Sequence, residues 1–252
     1  MDLGLKGKNV IVTGGSRGIG RSIALAFADE GANVAICARG ADALARTRDD
    51  IASRGVSGFA QSCDVGDAGA LKGFLDAANN ALGGVDVLVN NPSGFGLGDT
   101  EEAWSLGFNV DMMAAVRASR QVVPWMEARG GGAIVHISSI SGMEGTTRQA
   151  AYAAMKAAMI SHSKSLALTL APKNIRVNCV SPGSVEFPGG LWEKRRLDGS
   201  PLYEAVRQGI PFQRMGRPEE IAAAVVFCAS APASWVSGVN LPVDGGQHRG
   251  NL

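Results

Sequence analysis

Tyr152 and Lys156 stand four residues apart, and Ser139 precedes the tyrosine by thirteen. In an α-helix, positions i and i+4 project from one face a single turn apart. An ammonium held beside a phenol favours its ionised form, so a group of reference pKa ~10 can exchange protons nearer neutrality. Ser139 follows the apolar run Ala133-Ile134-Val135-His136-Ile137, where a buried strand would deliver a hydroxyl to a cleft. A proton donor, an orienting hydroxyl and a cation make a pocket for a developing alkoxide. His136 lies inside the apolar run and reads as a core histidine rather than a base.

A second chemistry sits near the chain start, in Thr13-Gly14-Gly15-Ser16-Arg17-Gly18-Ile19-Gly20. The spacing Gly14-x-x-x-Gly18-x-Gly20 is a variant of the dinucleotide turn, whose glycines let backbone approach a pyrophosphate at a helix N-terminus. Sites for NAD place an acid ~20 residues on, to accept from the ribose 2′-hydroxyl. Here that place is held by Ala38, followed by Arg39, with no carboxylate to repel a 2′-phosphate. Arg17 adds a cation at the first helix N-terminus, where the macrodipole disfavours it unless an anion is bound. NADP(H) is therefore the preferred cofactor, with NAD(H) as the alternative. Asp64 and Val65 end the third strand, where an acceptor could meet the adenine amino group, and Asn90-Asn91 end the fourth. Asn90 reads as a cofactor contact and Asn91 as a tie between strand ends.

These groups need a scaffold, and the hydrophobic pattern supplies one. Strand-length apolar runs at Asn9–Val12, Asn33–Cys37, Phe59–Cys63, Val85–Val89, Ala133–Ile137, Arg176–Val180 and Asn240–Leu241 alternate with helix candidates at 19–30, 41–54, 67–82, 101–128, 150–171 and 218–230. Such alternation, with strands apolar on both faces, predicts an α/β fold with a parallel sheet sandwiched by helices. Parallel sheets bind ligands at the carboxyl ends of their strands. The 252 residues suit one domain, 1–252, and 46% apolar content can fill its core. The stretch 184–216 breaks the rhythm with Pro188, Gly189, Gly190, Trp192, Pro201 and Pro211, and reads as a lid over a site.

Composition excludes several classes. A net charge of +1 and the lack of basic runs argue against nucleic acid or an anionic membrane as partner. No apolar run approaches the ~20 residues of a membrane span. Cys37, Cys63, Cys179 and Cys228 are scattered through apolar runs, which suits reduced core thiols rather than a metal site or disulfide framework. With Asp2 and a strand starting near residue 8, the start has no room for a signal peptide, so the expected location is cytoplasmic.

Taken together, the glycine turn, Asp64, Asn90-Asn91, Asn109, Ser139, Tyr152-x-x-x-Lys156 and Ser181-Pro182-Gly183 resemble the short-chain dehydrogenase/reductase family, over essentially the whole chain. The resemblance implies a single-domain Rossmann fold, a doubly wound seven-stranded parallel sheet with helices on both faces. It implies a nicotinamide-dependent oxidoreductase in which Tyr152 is the general acid/base and Ser139 hydrogen-bonds the reacting oxygen. Lys156 would lower the tyrosine pKa and grip the nicotinamide ribose, and Asn109 would anchor a water linking Lys156 to solvent. The cofactor would lie against Gly14, Ser16, Arg17, Gly18, Ile19, Gly20, Ala38, Arg39, Asp64, Val65, Asn90, Tyr152, Lys156, Pro182, Gly183 and Val185, with no metal. An enoyl reductase would space its tyrosine and lysine more widely. Family members pair their long helices between subunits, so a homotetramer or homodimer is implied.

Three positions depart from the family pattern. The usual Asn-Asn-Ala-Gly reads Asn90-Asn91-Pro92-Ser93-Gly94; Val185-Glu186-Phe187 occupy the place of a carboxamide-holding threonine; and Met155 stands where serine is common. Candidates for the substrate wall are Ser93, Phe95, Leu97, Met143, Glu144, Arg148, Phe187, Leu191, Trp192, Leu202 and Tyr203, which together suit a bulky hydrophobic ketone or secondary alcohol. The alternative is a non-catalytic nucleotide-binding regulatory protein on the same fold, which predicts erosion of the catalytic set; lyase chemistry without a nicotinamide predicts a spoiled glycine turn.

Overall fold

The computed structural model describes residues 1–250. Seven parallel strands, β1 (Asn9–Thr13), β2 (Asn33–Ala38), β3 (Gly58–Ser62), β4 (Val87–Asn90), β5 (Gly132–Ile137), β6 (Ile175–Pro182) and β7 (Asn240–Val243), form one sheet in the order β3-β2-β1-β4-β5-β6-β7. Chain order reverses between β1 and β4, which opens a crevice at the carboxyl ends of those strands. Alternation along β1 sends Val10 and Val12 to one face and Ile11 to the other.

The first face is covered by α1 (Gly18–Asp29), α2 (Ala41–Ala52) and α9 (Pro218–Ala229). On α1 the buried residues Ile23, Ala24, Phe27 and Ala28 recur at helical spacing, so one stripe meets the sheet. The opposite face carries α3 (Ala68–Leu82), α5 (Ala114–Ala128) and part of α6 (Ala150–Leu170). Asp67 caps α3 by accepting from the Ala70 amide at 2.7 Å. These helices and strands are the helix-sandwiched parallel sheet expected from the periodicity, in the doubly wound order that the resemblance implies.

Two regions differ from expectation. The single helix anticipated over 101–128 is three pieces: α4 (Glu101–Leu106), a π-helical segment (Gly107–Met113) and α5. The π turn carries one residue more than an α turn would, and this changes which side chains face inward. The second region is 184–216, which holds α7 (Leu191–Leu197) and α8 (Pro201–Gly209). Trp192, Tyr203, Val206, Ile210 and Met215 pack there into a satellite core. Trp192 and Tyr203 thus hold the two short helices together rather than line a substrate wall. Glu186 ties the segment down, accepting from Tyr203 Oη and Arg196 Nε, each at 2.6 Å. No described helix is long and apolar enough to cross a membrane.

Phe27 is fully buried in the first core. Phe27→Ala is expected to lower the unfolding free energy by about 3–5 kcal/mol, because a large cavity opens between α1 and the sheet. Urea denaturation measures this, and a loss under about 1 kcal/mol would contradict the packing.

Candidate active site

At the end of β1 the chain turns through Gly14 and Gly15 into α1. Gly18 has φ +54, and a Cβ there would lie 2.6 Å from the Phe187 ring. A Cβ at Gly20 would overlap the Gly14 carbonyl oxygen, so only glycine lets the turn close this tightly. No side chain caps α1, and its first turn holds no acid, leaving its amides for an external anion. Asn91 secures the turn, donating from Nδ2 to the carbonyls of Thr13 (3.3 Å) and Gly14 (3.0 Å).

Ala38 ends β2, and the next residue, Arg39, is exposed without an ion-pair partner among the described residues. Arg17 is also exposed, but donates from Nη1 to the Gly189 carbonyl at 3.2 Å. The glycine turn and the segment 187–190 therefore touch, through Arg17 and through Phe187 over Gly18. Asp64 is exposed and accepts from the Gly66 amide, while Val65 is buried. The Asn90 side chain turns into the core, toward His136 Nδ1 (3.2 Å) and Ser119 Oγ (3.4 Å), so only its backbone faces the crevice. After β6, the Ser184 carbonyl and Glu186 amide bond to Gly216, which leaves Val185's own amide and carbonyl on the opposite edge.

Ser139, Tyr152 and Lys156 meet at the carboxyl end of β5. The buried stripe of α6 runs Ala151, Tyr152, Lys156, Met159, Ser163, Ala167 and Leu170, so tyrosine and lysine lie on the face turned inward. Gly142 lets this helix approach closely, since a Cβ there would lie 2.6 Å from the Lys156 carbonyl carbon. Ser138 donates to the Lys156 carbonyl at 2.8 Å, a structural bond. Its neighbour Ser139 begins a short 3-10 turn (Ile140–Gly142), its Oγ accepting from the Ser141 amide at 3.1 Å. The Tyr152 side chain lies beneath Phe95, whose ring stacks on it with centroids 5.7 Å apart. Phe95 sits at φ +46, an unfavoured conformation for an aromatic residue, which this contact helps hold.

Lys156 Nζ donates to the Ile137 carbonyl at 3.1 Å and lies 5.5 Å from the Tyr152 ring centroid. Its third neighbour is Asp111 Oδ1, at 3.1 Å, with side-chain exposures of 2% and 0% for the pair. Burial alone would lower the lysine pKa; the Asp111 carboxylate and the Tyr152 phenol outweigh it and hold it above the ordinary lysine value. Asn109, expected to anchor a water linking Lys156 to solvent, donates from Nδ2 to the Ser105 carbonyl at 3.0 Å, along its own helix. Residues two apart on a helix do not share a face, so with Asp111 inward Asn109 points away. The signal that could have found Asp111 is its isolation, a lone acid in the run Val110-Asp111-Met112-Met113-Ala114-Ala115-Val116. Met155 packs against Gly107 of the π turn, filling space as its type suggests.

Several known proteins are similar to this chain in sequence and in fold. A family model described as enoyl-(acyl carrier protein) reductase matches residues 14–248. Isoepoxydon dehydrogenase patN of Penicillium expansum is 37% identical over 254 residues, covering 98% of this chain and 97% of its own. A solved 7α-hydroxysteroid dehydrogenase complexed with NADH and 7-oxo glycochenodeoxycholic acid superimposes with a TM-score of 0.90 at 35% identity, over 97% of this chain and 96% of its own. L-sorbose reductase from Gluconobacter frateurii, complexed with NADPH and L-sorbose, gives 0.93 at 34% identity, over 99% and 100%.

His136, behind the site, is held neutral: burial, then the nearby His162 and Lys156, push its pKa down to about 3. The folded imidazole refuses the proton that an unfolded one takes up below about pH 6.5, so stability falls as pH drops through that window. His136→Gln, which keeps an acceptor for Asn90, is expected to flatten the fall by about 1.4 kcal/mol per pH unit. Urea unfolding between pH 6.5 and 4 reads this slope, and an unchanged slope would contradict the neutral assignment.

Proposed function

This chain belongs to the short-chain dehydrogenase/reductase family, and we propose that within it the protein is an NADP(H)-dependent oxidoreductase interconverting a bulky hydrophobic ketone and its secondary alcohol. The observation that carries this reading is a buried, charged Lys156 beside Tyr152, on the same sheet edge as an uncapped glycine turn. A buried lysine is costly to retain unless its charge is used, which argues against a non-catalytic nucleotide-binding protein.

The residues fit a dinucleotide. Bare backbone at Gly14, Gly18, Ile19 and Gly20 with the Ser16 position would take the pyrophosphate, and Ala38 with Arg39 the 2′-phosphate. The exposed Asp64 and buried Val65 border the adenine position, and the backbone of Asn90, Pro182, Gly183 and Val185 edges the nicotinamide position. When bound, the nicotinamide supplies or accepts the hydride. Tyr152 gives a proton to the carbonyl oxygen in reduction and takes it back in oxidation. Ser139 donates a hydrogen bond to that oxygen and orients it, while Lys156 holds positive charge beside the phenol and meets the ribose hydroxyls. One solved relative carries NADH and the other NADPH, so the family accommodates both. Ala38-Arg39 is what favours NADP(H) here.

Phe95, Leu97 and Leu191 are exposed around the site mouth, which supports an apolar substrate. The segment 184–216 acts as its lid, resting on the glycine turn through Phe187 and Arg17. Leu168, Phe227, Trp235 and Val239 are exposed apolar side chains in the C-terminal part of the chain, which supports a homotetramer or homodimer. The buried free thiols suit the reducing cytoplasm.

Tyr152→Phe is expected to lower kcat by about 10²–10⁴-fold without changing NADPH binding, followed by fluorescence titration. Retention of activity on the identified substrate would refute the acid–base assignment. Ala38→Asp with Arg39→Ile is expected to move the ratio of kcat/KM values toward NAD(H), because the new acid repels the 2′-phosphate and accepts from the ribose. An unmoved ratio would place the 2′-phosphate elsewhere.

A further inference from the structure

Lys156 keeps a full charge in a place with almost no access to water, and the groups around it decide what that charge does. Tyr152 faces it from one helical turn earlier, and His162 lies further along the same helix. From β5 comes His136, neutral down to about pH 3, and from β6 Cys179, whose thiol burial pushes up to about 12. The pKa of His162 is lowered as well, first by burial and then by Arg120. Asp111 is thus the one carboxylate paired with the ammonium among the described residues.

Its placement is built from two sides. The π-helical segment turns Asp111 inward where a regular α-turn would shift its direction. The Gly94 amide donates to its other oxygen, Oδ2, at 2.9 Å, and a Cβ on Gly94 would lie 2.8 Å from Leu106. The next residue, Phe95, stacks on Tyr152, so one loop fixes both the carboxylate and the phenol. An unpaired ammonium would draw a neighbouring phenol strongly toward phenolate, and a carboxylate 3.1 Å away cancels much of that pull.

We propose that Asp111 is a positioning residue of the reaction: it anchors the Lys156 ammonium beside Tyr152 and balances its charge. The inference rests on the acid–base reading of Tyr152 given above.

The chain has two tyrosines, Tyr152 and Tyr203, so protein labelled with 13Cζ-tyrosine gives two resonances, assigned with Tyr152→Phe. In Asp111→Asn the Tyr152 resonance is expected to titrate about one pH unit or more below its position in the unaltered protein. Removing one partner of a buried pair is destabilising. Asp111→Ser, which leaves a hydroxyl acceptor and room for water, carries the same expectation should the amide variant not fold. An unmoved or raised midpoint in the folded variant overturns the proposal. NADPH-dependent ketone reduction, assayed in parallel, separates the two readings. Turnover by the unaltered protein with an unmoved midpoint sinks the role of Asp111 alone. A lowered midpoint without turnover on any ketone or alcohol upholds the electrostatic coupling and sinks the redox assignment.

Discussion

A lysine with 2% of its side chain exposed must find a counter-charge inside the protein, because an isolated buried ammonium is prohibitively costly. Asp111 meets that requirement, and much of the site's local structure serves the meeting. The helix preceding α5 adopts a π turn over Gly107–Met113, and Gly94 approaches closely enough to donate its amide. Gly142 lets α6 pack against the end of β5, where the Ile137 carbonyl accepts a hydrogen bond from the ammonium. Each of these features looks minor alone. Together they hold a charge in a dry place without neutralising it.

The sheet and its helices were legible because they rest on periodicity and length. β1 alternates its apolar residues between two cores, and α1 repeats Ile23, Ala24, Phe27 and Ala28 on one stripe. The structure sets Ser139 and the Tyr152–Lys156 pair at one strand end, since i,i+4 spacing and strand termini are local facts. Other features depended on long-range geometry. Asn109 and Asp111 lie two residues apart, and choosing between them requires knowing that the helix carries an extra residue in one turn. Trp192 and Tyr203 read as substrate wall because they are aromatic and near a lid. Their burial against Ile210 and Met215 follows from α7 and α8, two short helices with little periodicity to announce them.

The departures from the family pattern acquire a physical sense when taken as a set. Pro92-Ser93-Gly94 reshapes the loop after β4, and that loop supplies the amide that fixes Asp111 and the ring that covers Tyr152. Phe187, standing where a polar residue was expected, lays its ring over Gly18. The altered loop after β4 thus borders Tyr152 and Asp111, while Phe187 borders the glycine turn.

The Asn91 side-chain amide donates to two carbonyls, that of Thr13 at the end of β1 and that of Gly14 in the turn after it. Through it the β4 loop is riveted to the glycine turn. A displacement of the β4 loop would therefore be carried to that turn through the Asn91 side chain and the β1–β4 pairing.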